Sequence, residues 1–211
     1  MKQENTKKTA LITGFSSGIG MAYSKHLASQ GWNLELISQD KSRADKGKEN
    51  LNYRFARYHL SDLSKPESLK SIVENIKTPD LIVANAGITK SGKAGSLDFD
   101  EKMDLFYLLC NGVIDLIESY LPGMEQKKGS RIVIISSIGA VTPMPKSSIY
   151  AAAKSAIYSY GQSLSRELNK KNISVTVSLP GYVKTSAHER AGLGHLNEKF
   201  QVGCGSKQSK L

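Results

Sequence analysis

The sequence is poor in cysteine and has no long apolar run. Its 211 residues include two cysteines, Cys110 and Cys204, which cannot build a disulfide framework and so favour a reducing compartment. No apolar stretch approaches the roughly 18 residues that cross a membrane. The residues before Gly14 are too polar, and their apolar run too short, for a secretory signal. We therefore expect a cytoplasmic protein that binds no membrane.

Patterns typical of metal sites, internal repeats and interdomain linkers are also missing from the sequence. No group of His, Cys, Asp or Glu has the spacing of metal ligands, so we expect no bound metal. The length, with 39% apolar residues and 18 glycines, fits one globular domain. We assign residues 1–200 to this domain and predict that the polar stretch 201–211 is disordered.

The charge is strongly basic but carries no recognition pattern. The net charge is +10, and the basic residues are scattered in short clusters such as Lys7-Lys8, Lys127-Lys128 and Lys170-Lys171. No basic stripe interleaved with aromatic residues appears. We therefore expect a solvated basic surface and no nucleic-acid partner. An anion-binding interaction protein stays open as a hypothesis that charge alone supports.

Short apolar runs alternate with amphipathic segments along the whole chain. The predicted strands are Thr9–Thr13, Trp32–Ser38, Tyr53–His59, Leu81–Ala84, Arg131–Ile135 and Ser174–Leu179. The predicted helices are Gly18–Gln30, a segment from an N-cap at Ser64 to Ile76, Phe99–Gln126 and Ile149–Lys171, with Lys41–Asn50 a helix or a loop. This alternation predicts an α/β fold with a three-layer, doubly wound, Rossmann-like parallel sheet.

A glycine-rich loop, TGFSSGIG from Thr13 to Gly20, joins the first predicted strand to the first predicted helix. Gly14 permits the tight turn, Gly18 lets the backbone approach a pyrophosphate, and Gly20 lets the helix pack closely. The helix N-terminus adds free N–H donors for phosphates. The alternative is a strand-to-helix turn without a ligand. The expected ligand contacts in this loop are Gly14, Ser16, Ser17, Gly18, Ile19 and Gly20.

Three other groups of polar residues lie where ligands bind parallel sheets. Tyr150 and Lys154 are four residues apart in a helix-forming segment, so an ammonium stands beside a phenol and favours its phenolate form. Ser136-Ser137 end the fifth predicted strand, and Asn85-Ala86-Gly87 follow the fourth. Each group alone has a structural explanation: an exposed Tyr–Lys pair, a turn serine, or an Asx turn.

Together these motifs resemble the short-chain dehydrogenase/reductase family, from about Lys8 to about Phe200. The loop before Gly20 is similar to the family's TGxxxGIG motif, and Asn85–Gly87 to its NAG motif. The other matches are Ser137, Tyr150 and Lys154 for the catalytic residues, Pro180–Thr185 for a PGxVxT turn near the nicotinamide, and Asp62 for an acidic contact to adenine.

The resemblance implies hydride transfer between a nicotinamide cofactor and a small carbonyl or alcohol substrate. Tyr150 would exchange a proton with the substrate, Lys154 would lower the tyrosine pKa and hold the nicotinamide ribose, and Ser137 would orient the substrate oxygen. Residues Thr89–Ser96, Ala140–Ile149 and Thr185–Phe200 would shape the substrate pocket. The remaining cofactor contacts implied are Gln39, Asp62, Leu63, Asn85, Ala86, Gly87, Tyr150, Lys154, Pro180, Gly181, Val183 and Thr185.

Two departures from the family pattern leave a second function open. Leu109 stands where the family has a catalytic asparagine, and Asn111 is expected to point elsewhere, so the proton relay would be slower or altered. After the substrate-covering loop Thr185–Phe200 the sequence turns polar, so we expect the family's final strand to be lacking. The alternative to an active enzyme is a cofactor-binding, weakly active or non-catalytic member, a sensor or an oligomer subunit.

The end of the second predicted strand bears on cofactor choice. Gln39 occupies the selecting position, and Ser38, Lys41 and Arg43 can hold a phosphate, which favours NADP over NAD. A shift of one residue would put Asp40 in that position and reverse the preference.

The resemblance also implies a homodimer or homotetramer that pairs through the two long helices, unless their apolar faces only cover the sheet. The faces in question carry Tyr107, Leu116 and Tyr120 on the first helix and Ala156, Tyr160 and Leu164 on the second.

Overall fold

The computed structural model describes residues 7–181, in which six parallel strands form one sheet between two layers of helices. The sheet order is β3-β2-β1-β4-β5-β6. The strands are β1 (Thr9–Thr13), β2 (Asn33–Ser38), β3 (Ala56–Leu60), β4 (Leu81–Ala84), β5 (Ser130–Ile135) and β6 (Ile173–Ser178). The predicted doubly wound α/β fold is confirmed.

The helices connect the parallel strands from one end of the sheet to the other. They are α1 (Gly18–Ser29), α2 (Lys41–Leu51), α3 (Pro66–Asn75), α4 (Phe99–Phe106), α5 (Gly112–Glu125) and α6 (Ser148–Glu167). A π-helical turn, Tyr107–Asn111, joins α4 to α5 without a break, and short 3-10 turns occupy Ile138–Ala140 and Asn169–Lys171.

Two apolar cores lie on opposite faces of the sheet. Leu11 and Ile82 point into the core under α3, α4, α5 and α6, whereas Ala10, Ile12 and Val83 point into the core under α1 and α2. Neighbouring residues of a strand face opposite sides, so central strands buried on both faces must be apolar throughout. This requirement explains why β1 and β4 are continuous apolar runs.

The chain reverses its direction of winding at β1, which lies between β2 and β4. The loops that follow β1 and β4 therefore separate to opposite faces and open a crevice at the carboxyl ends of the strands, where ligands bind such sheets. The glycine loop after Thr13 and the segment after Ala84 form the two sides of this crevice.

Several predicted boundaries shift in the structure. Helix α3 has Lys65 as its N-cap instead of Ser64, because Pro66, preset for a helix, takes the first helical position. The segment Lys41–Asn50, left open from sequence, is helical, since Asp40 caps it by accepting from the backbone N–H of Arg43. Strand β3 begins at Ala56, three residues later than predicted.

Three of the six residues named for the oligomer faces of the long helices are not available to a partner. Leu116, Tyr120 and Leu164 are buried in the core that covers the sheet. For these three residues the structure agrees with the alternative that the apolar helix faces only cover the sheet. Ala156 and Tyr160 also pack against this core. By length and composition the continuous helical segment Phe99–Glu125 would pass for a membrane span. Its buried residues pack against the sheet, which accounts for its apolar character.

Candidate functional site

The site lies in a cavity at the carboxyl edge of the sheet, on both sides of the crevice between β1 and β4. One end is formed by the glycine loop and the segment after β2. The other end is formed by the segments after β4 and β5 together with the first turns of α6. The cavity therefore gathers the glycine loop and the polar residues that follow β2, β4 and β5.

Side chains at two positions of the glycine loop are excluded by close contacts, at one of them together with a left-handed backbone. Gly14 has a φ of +66°, and a Cβ there would lie 2.9 Å from the Cα of Ala86. A Cβ on Gly20 would collide with the carbonyl oxygen of Gly14 and lie 2.7 Å from Nδ2 of Asn85. The loop is therefore folded tightly against α1 and against the segment after β4.

Asn85 ties the two sides of the crevice together. Its side-chain amide donates to the carbonyl oxygens of Thr13 at 3.0 Å and Gly14 at 3.1 Å. The Thr13 hydroxyl oxygen accepts from the backbone N–H groups of Asn85 and Ala86, both at 2.9 Å. Asn85, for which a simple Asx turn was the alternative to the NAG motif, thus fixes the glycine loop to β4.

The N-terminus of α1 opens into the cavity. Ser17 is the N-cap, yet its side chain makes no capping hydrogen bond to the helix. Ser16, Ser17, Gly18 and Ile19 all line the cavity. Because the first N–H groups of a helix lack internal partners and carry partial positive charge, this end can receive a phosphate.

The segment after β2 brings a cation to the same end of the cavity. Ser38, Gln39 and Arg43 line it, whereas Asp40 and Lys41 do not. The guanidinium Nε of Arg43 is buried and makes no hydrogen bond within residues 7–181, although it lies 3.3 Å from Oδ2 of Asp40. The backbone N–H of Arg43 bonds Asp40, which lowers the pKa of that carboxyl, and the nearby guanidinium adds to this.

Ser137 and Tyr150 line the other end of the cavity together with Lys154. The hydroxyl oxygen of Ser137 accepts from the backbone N–H of Gly139 at 3.1 Å. One acceptor position of this hydroxyl is therefore occupied, while its proton is free to be donated into the cavity. The ammonium of Lys154 lies 5.9 Å from the centre of the Tyr150 ring, as their spacing on α6 requires.

Lys154 is a buried charge, with 5% of the residue exposed. Its ammonium donates to the carbonyl oxygen of Ile135 at 2.8 Å, and its own carbonyl oxygen accepts from the hydroxyl of Ser136 at 2.8 Å. Burial lowers the pKa of Lys154 to about 8, and the nearby thiol of Cys110 opposes this slightly. The charge that faces Tyr150 is therefore sensitive to pH close to neutrality.

The π-helical turn forms an apolar wall beside Lys154. A Cβ on Gly87 would lie 2.9 Å from Cδ2 of Leu109 and 3.9 Å from Nζ of Lys154, so both groups flank the same point. Leu109 is fully buried and Cys110 nearly so, whereas Asn111 is exposed, as predicted. Single π turns inside α-helices occur often at functional sites.

Most of the site residues expected from sequence come together in this cavity. Those that line it are Gly14, Ser16, Ser17, Gly18, Ile19, Gln39, Leu63, Asn85, Ala86, Gly87, Ser137, Tyr150, Lys154, Pro180 and Gly181. Gly20 lies beneath the loop, and Asp62 instead accepts from the backbone N–H of Ser64. Val183, Thr185, the loop Thr185–Phe200 and the tail 201–211 lie outside the described residues.

The structure adds apolar residues that sequence reasoning did not assign to the site. Ile88, Leu108 and Ile138 line the cavity beside Ser137 and Tyr150. Apolar residues in strand and helix patterns are typical of a core, so no local signal distinguishes them. Within residues 7–181, no group of three or more His, Cys, Asp or Glu side chains is placed to hold a metal ion.

Comparisons with known proteins agree with this geometry. A family profile described as short chain dehydrogenase matches residues 8–194. The 3-oxoacyl-[acyl-carrier-protein] reductase FabG of Chlamydia trachomatis is 30% identical over 185 residues, which are 84% of this chain and 75% of that protein.

Solved structures are similar over most of their length. A short-chain dehydrogenase from Sphingobium yanoikuyae in complex with NADPH has a TM-score of 0.85 and 28% identity, covering 93% of this chain and 79% of that one. A 3-ketoacyl-(acyl-carrier-protein) reductase from Brucella melitensis complexed with NADH has a TM-score of 0.77 and 26% identity, covering 84% and 77%.

Proposed function

Because the chain belongs to the short-chain dehydrogenase family and is a nicotinamide-dependent dehydrogenase or reductase, we propose that Tyr150 exchanges a proton with the oxygen of a small carbonyl or alcohol substrate. The observation that carries this proposal is the meeting of Ser137, Tyr150 and Lys154 at one end of the cavity that the glycine loop lines at the other. A reaction of a cofactor with a second substrate needs binding residues for each of them, and this cavity has one such set at each end.

The residues present fit a nicotinamide dinucleotide. The open N-terminus of α1 and the loop from Gly14 to Ile19 would hold the pyrophosphate. Gln39 and Leu63 would contact the adenosine half. Pro180 and Gly181 also line the cavity, and the Pro180 carbonyl oxygen accepts from the N–H of Ile138, the residue after Ser137. When bound, the cofactor supplies or accepts the hydride.

The proton chemistry rests on the chain's own side chains. In reduction the Tyr150 hydroxyl gives its proton to the substrate oxygen, and in oxidation it takes that proton back. The Lys154 ammonium, 5.9 Å from the centre of the Tyr150 ring, would attract the negative charge left on the tyrosine oxygen when the proton leaves. Ser137 donates its hydroxyl proton to the same substrate oxygen, because the Gly139 N–H already occupies one of its acceptor positions. A well-placed general acid contributes roughly 10²–10⁴-fold in rate.

A second function, cofactor binding with little turnover, draws support from one observation. Leu109 fills the point next to Lys154 with a buried methyl group, where no polar atom can relay a proton. Replenishing the Tyr150 proton would then depend on Lys154 alone. Measurable turnover by the wild-type protein would favour catalysis, and its absence would favour cofactor binding alone.

We assign NADP as the preferred cofactor over NAD. Ser16, Ser38 and Arg43 line the same end of the cavity, and the two hydroxyl oxygens are 3.3 Å apart. The hydroxyl groups and the Arg43 guanidinium are donors that suit the additional phosphate of NADP, although Nε of Arg43 also lies 3.3 Å from Oδ2 of Asp40. Asp40, the residue that would favour NAD, is engaged by the backbone of Arg43 and does not line the cavity.

The single-domain assignment, the homodimer or homotetramer, the cytoplasmic location and the lack of a nucleic-acid partner stay predictions. Light scattering on the purified full chain measures its oligomeric state. Gel electrophoresis of an oligonucleotide with the protein at low salt tests nucleic-acid binding, and an unchanged mobility would agree with the lack of a nucleic-acid partner.

The experiment that tests the proposed function is a titration of the full chain with NADPH and NADH, followed by the fluorescence of the bound nicotinamide. Tighter binding of NADPH, together with oxidation of NADPH in the presence of a ketone, is the expected result. Binding of neither cofactor overturns the proposal. Binding without turnover of any carbonyl compound favours the second function.

A further inference from the structure

Helix α2 lies against the glycine loop at Gly47, which is buried inside the helix. A Cβ at this position would lie 2.9 Å from Cε2 of Phe15 and 3.3 Å from Cα of Ser16, two residues of the loop. Carbon atoms in ordinary contact are roughly 3.5–4.0 Å apart. Glycine weakens the interior of a helix relative to alanine, so its presence here is explained by the close approach of helix and loop.

The loop side of this contact is held in place. The Phe15 side chain is fully buried in the core under α1 and α2, and its ring centre lies 5.5 Å from that of Tyr58. The backbone N–H groups of Gly14 and Phe15 both donate to the carbonyl oxygen of Ile37, at 2.9 and 3.3 Å. Because the loop is attached to the end of β2, a side chain at position 47 would displace α2 instead.

Helix α2 is packed weakly enough to move. Its buried residues are Ala44, Gly47 and Leu51, and its other residues are exposed or partly exposed. Two of these three positions carry no more than a methyl group, so the helix buries little apolar area. The separation of α2 from the loop is therefore sensitive to the size of the residue at position 47.

Arg43 lies one turn before Gly47 on the same face of α2, because residues four apart in a helix are neighbours. Arg43 lines the cavity together with Ser16 and Ser38, whose hydroxyl oxygens are 3.3 Å apart. Ser16 is also the residue whose Cα adjoins Gly47. The separation of helix and loop at Gly47 therefore controls how far the Arg43 guanidinium stands from the Ser16 hydroxyl.

We propose, on the basis of the NADP preference proposed above, that Gly47 is a positioning residue for cofactor choice. Because it has no side chain, α2 lies close enough to the loop for Arg43 and Ser16 to bind the additional phosphate of NADP together. Gly47 itself does not line the cavity, so it acts through Arg43. NADH lacks that phosphate, and displacing Arg43 should weaken the binding of NADPH alone.

The first test is Gly47→Ala in the full chain, titrated with NADPH and with NADH by the fluorescence of the bound nicotinamide. The ratio of the NADH to the NADPH dissociation constant should fall about fivefold, because the guanidinium is displaced. Alanine favours a helix more than glycine does, and urea unfolding verifies that the variant is folded. An unchanged ratio in the folded variant overturns the inference.

Gly123→Ala on α5 is the matched control. A Cβ there would lie 2.9 Å from Cγ2 of Thr78, in the segment before β4, and neither residue lines the cavity. This variant introduces the same kind of collision between a helix and its neighbour and should leave the ratio unchanged. An equal fall in both variants would show that general loosening of the fold sets the ratio, which overturns the role of Gly47.

A second pair of variants tests whether Gly47 acts through Arg43. In the Arg43→Gln background, Gly47→Ala should leave the ratio of the two dissociation constants unchanged, because the guanidinium that it displaces is absent. A further fall of about fivefold in that background would overturn the route from Gly47 to the phosphate.

Crystal structures of the wild type and of Gly47→Ala without cofactor keep the inference separate from the proposed function. Helix α2 should move away from Phe15 by roughly 0.5–1 Å, which brings the 2.9 Å carbon contact to an ordinary distance. If the wild-type protein binds NADPH no tighter than NADH, the NADP preference fails, while a displaced α2 still supports the positioning of Arg43 by Gly47. An unmoved α2 overturns the inference even if the wild-type protein prefers NADPH.

Discussion

The ammonium of Lys154 donates a hydrogen bond to the carbonyl oxygen of Ile135 at 2.8 Å, in a position closed to solvent. This bond joins α6 to the end of β5 and places a buried charge beside Tyr150. The protein therefore keeps a cation where burial disfavours it, and stability and activity should both depend on its protonation.

Replacing Lys154 by methionine should stabilise the fold at neutral pH. The lysine has a pKa of about 8 in the folded chain against an ordinary value of 10.5, so between these values the unfolded chain holds one more proton. Stability of the wild type therefore rises with pH across this window. Below it, burying the charge costs about 3 kcal/mol.

After loss of the bond to Ile135, worth about 1.5–3 kcal/mol because its donor is charged, Lys154→Met should gain up to about 1.5 kcal/mol in the free energy of unfolding at pH 7. Urea unfolding at pH 7 and pH 10 measures it, and the gain should shrink at the higher pH. An equal gain at both pH values would show that burial does not lower the pKa of Lys154 in the folded protein.

The rate of carbonyl reduction should fall as pH rises through about 8. Above that value Lys154 loses the charge that would attract the negative oxygen left on Tyr150 after it gives its proton to the substrate. Leu109→Asn introduces a polar group at the apolar wall and should move this fall to higher pH. The control is Asn111→Leu, an exposed position on the same π turn, which should leave the pH–rate profile in place. A flat wild-type profile from pH 7 to 9.5 would contradict the assigned role of Lys154.

Tyr150→Phe should lower kcat/KM by roughly 10²–10⁴-fold, because it removes the group that exchanges the proton. The affinity for NADPH should change less than twofold, since the ring and Lys154 are retained. Tyr158→Phe, on the same helix but away from the cavity lining, should retain activity. Comparable activity of the two variants would remove Tyr150 from the proposed mechanism.

Arg43→Gln should weaken NADPH binding about tenfold, equivalent to about 1.4 kcal/mol, and leave NADH binding unchanged. Lys41→Gln removes the same charge from the same helix at an exposed position outside the cavity lining. Fluorescence titration of both variants distinguishes a direct contact of Arg43 with the cofactor from the effect of overall positive charge. Equal loss of NADPH and NADH affinity in Arg43→Gln would argue against recognition of the additional phosphate.

Asn85→Ala should lower the free energy of unfolding by about 1–2 kcal/mol, because the partly buried bonds to the carbonyl oxygens of Thr13 and Gly14 are lost. Asn75→Ala removes an exposed bond to Ser71 and should cost less than about 0.5 kcal/mol. Urea unfolding compares them. Similar losses would show that Asn85 does not stabilise the crevice.

Much of the site was determined by the sequence alone, because its chemistry is local. The tight turn at Gly14 and the shared helix face of Tyr150 and Lys154 follow from backbone geometry over a few residues. The alternation of strands and helices likewise predicted the doubly wound sheet, and parallel strands necessarily bring Asn85 and Ser137 to one edge.

Only the tertiary structure decided the surroundings of these residues. The bond of Lys154 to Ile135 spans 19 residues, and Leu116 and Tyr120 face the sheet because α5 packs on it. Isoleucine and leucine occur both in cores and along cavities, so the residue types of Ile88, Leu108 and Ile138 do not show that they line the cavity. Burial depends on which helices and strands pack against each other, and neither residue type nor periodicity specifies that packing.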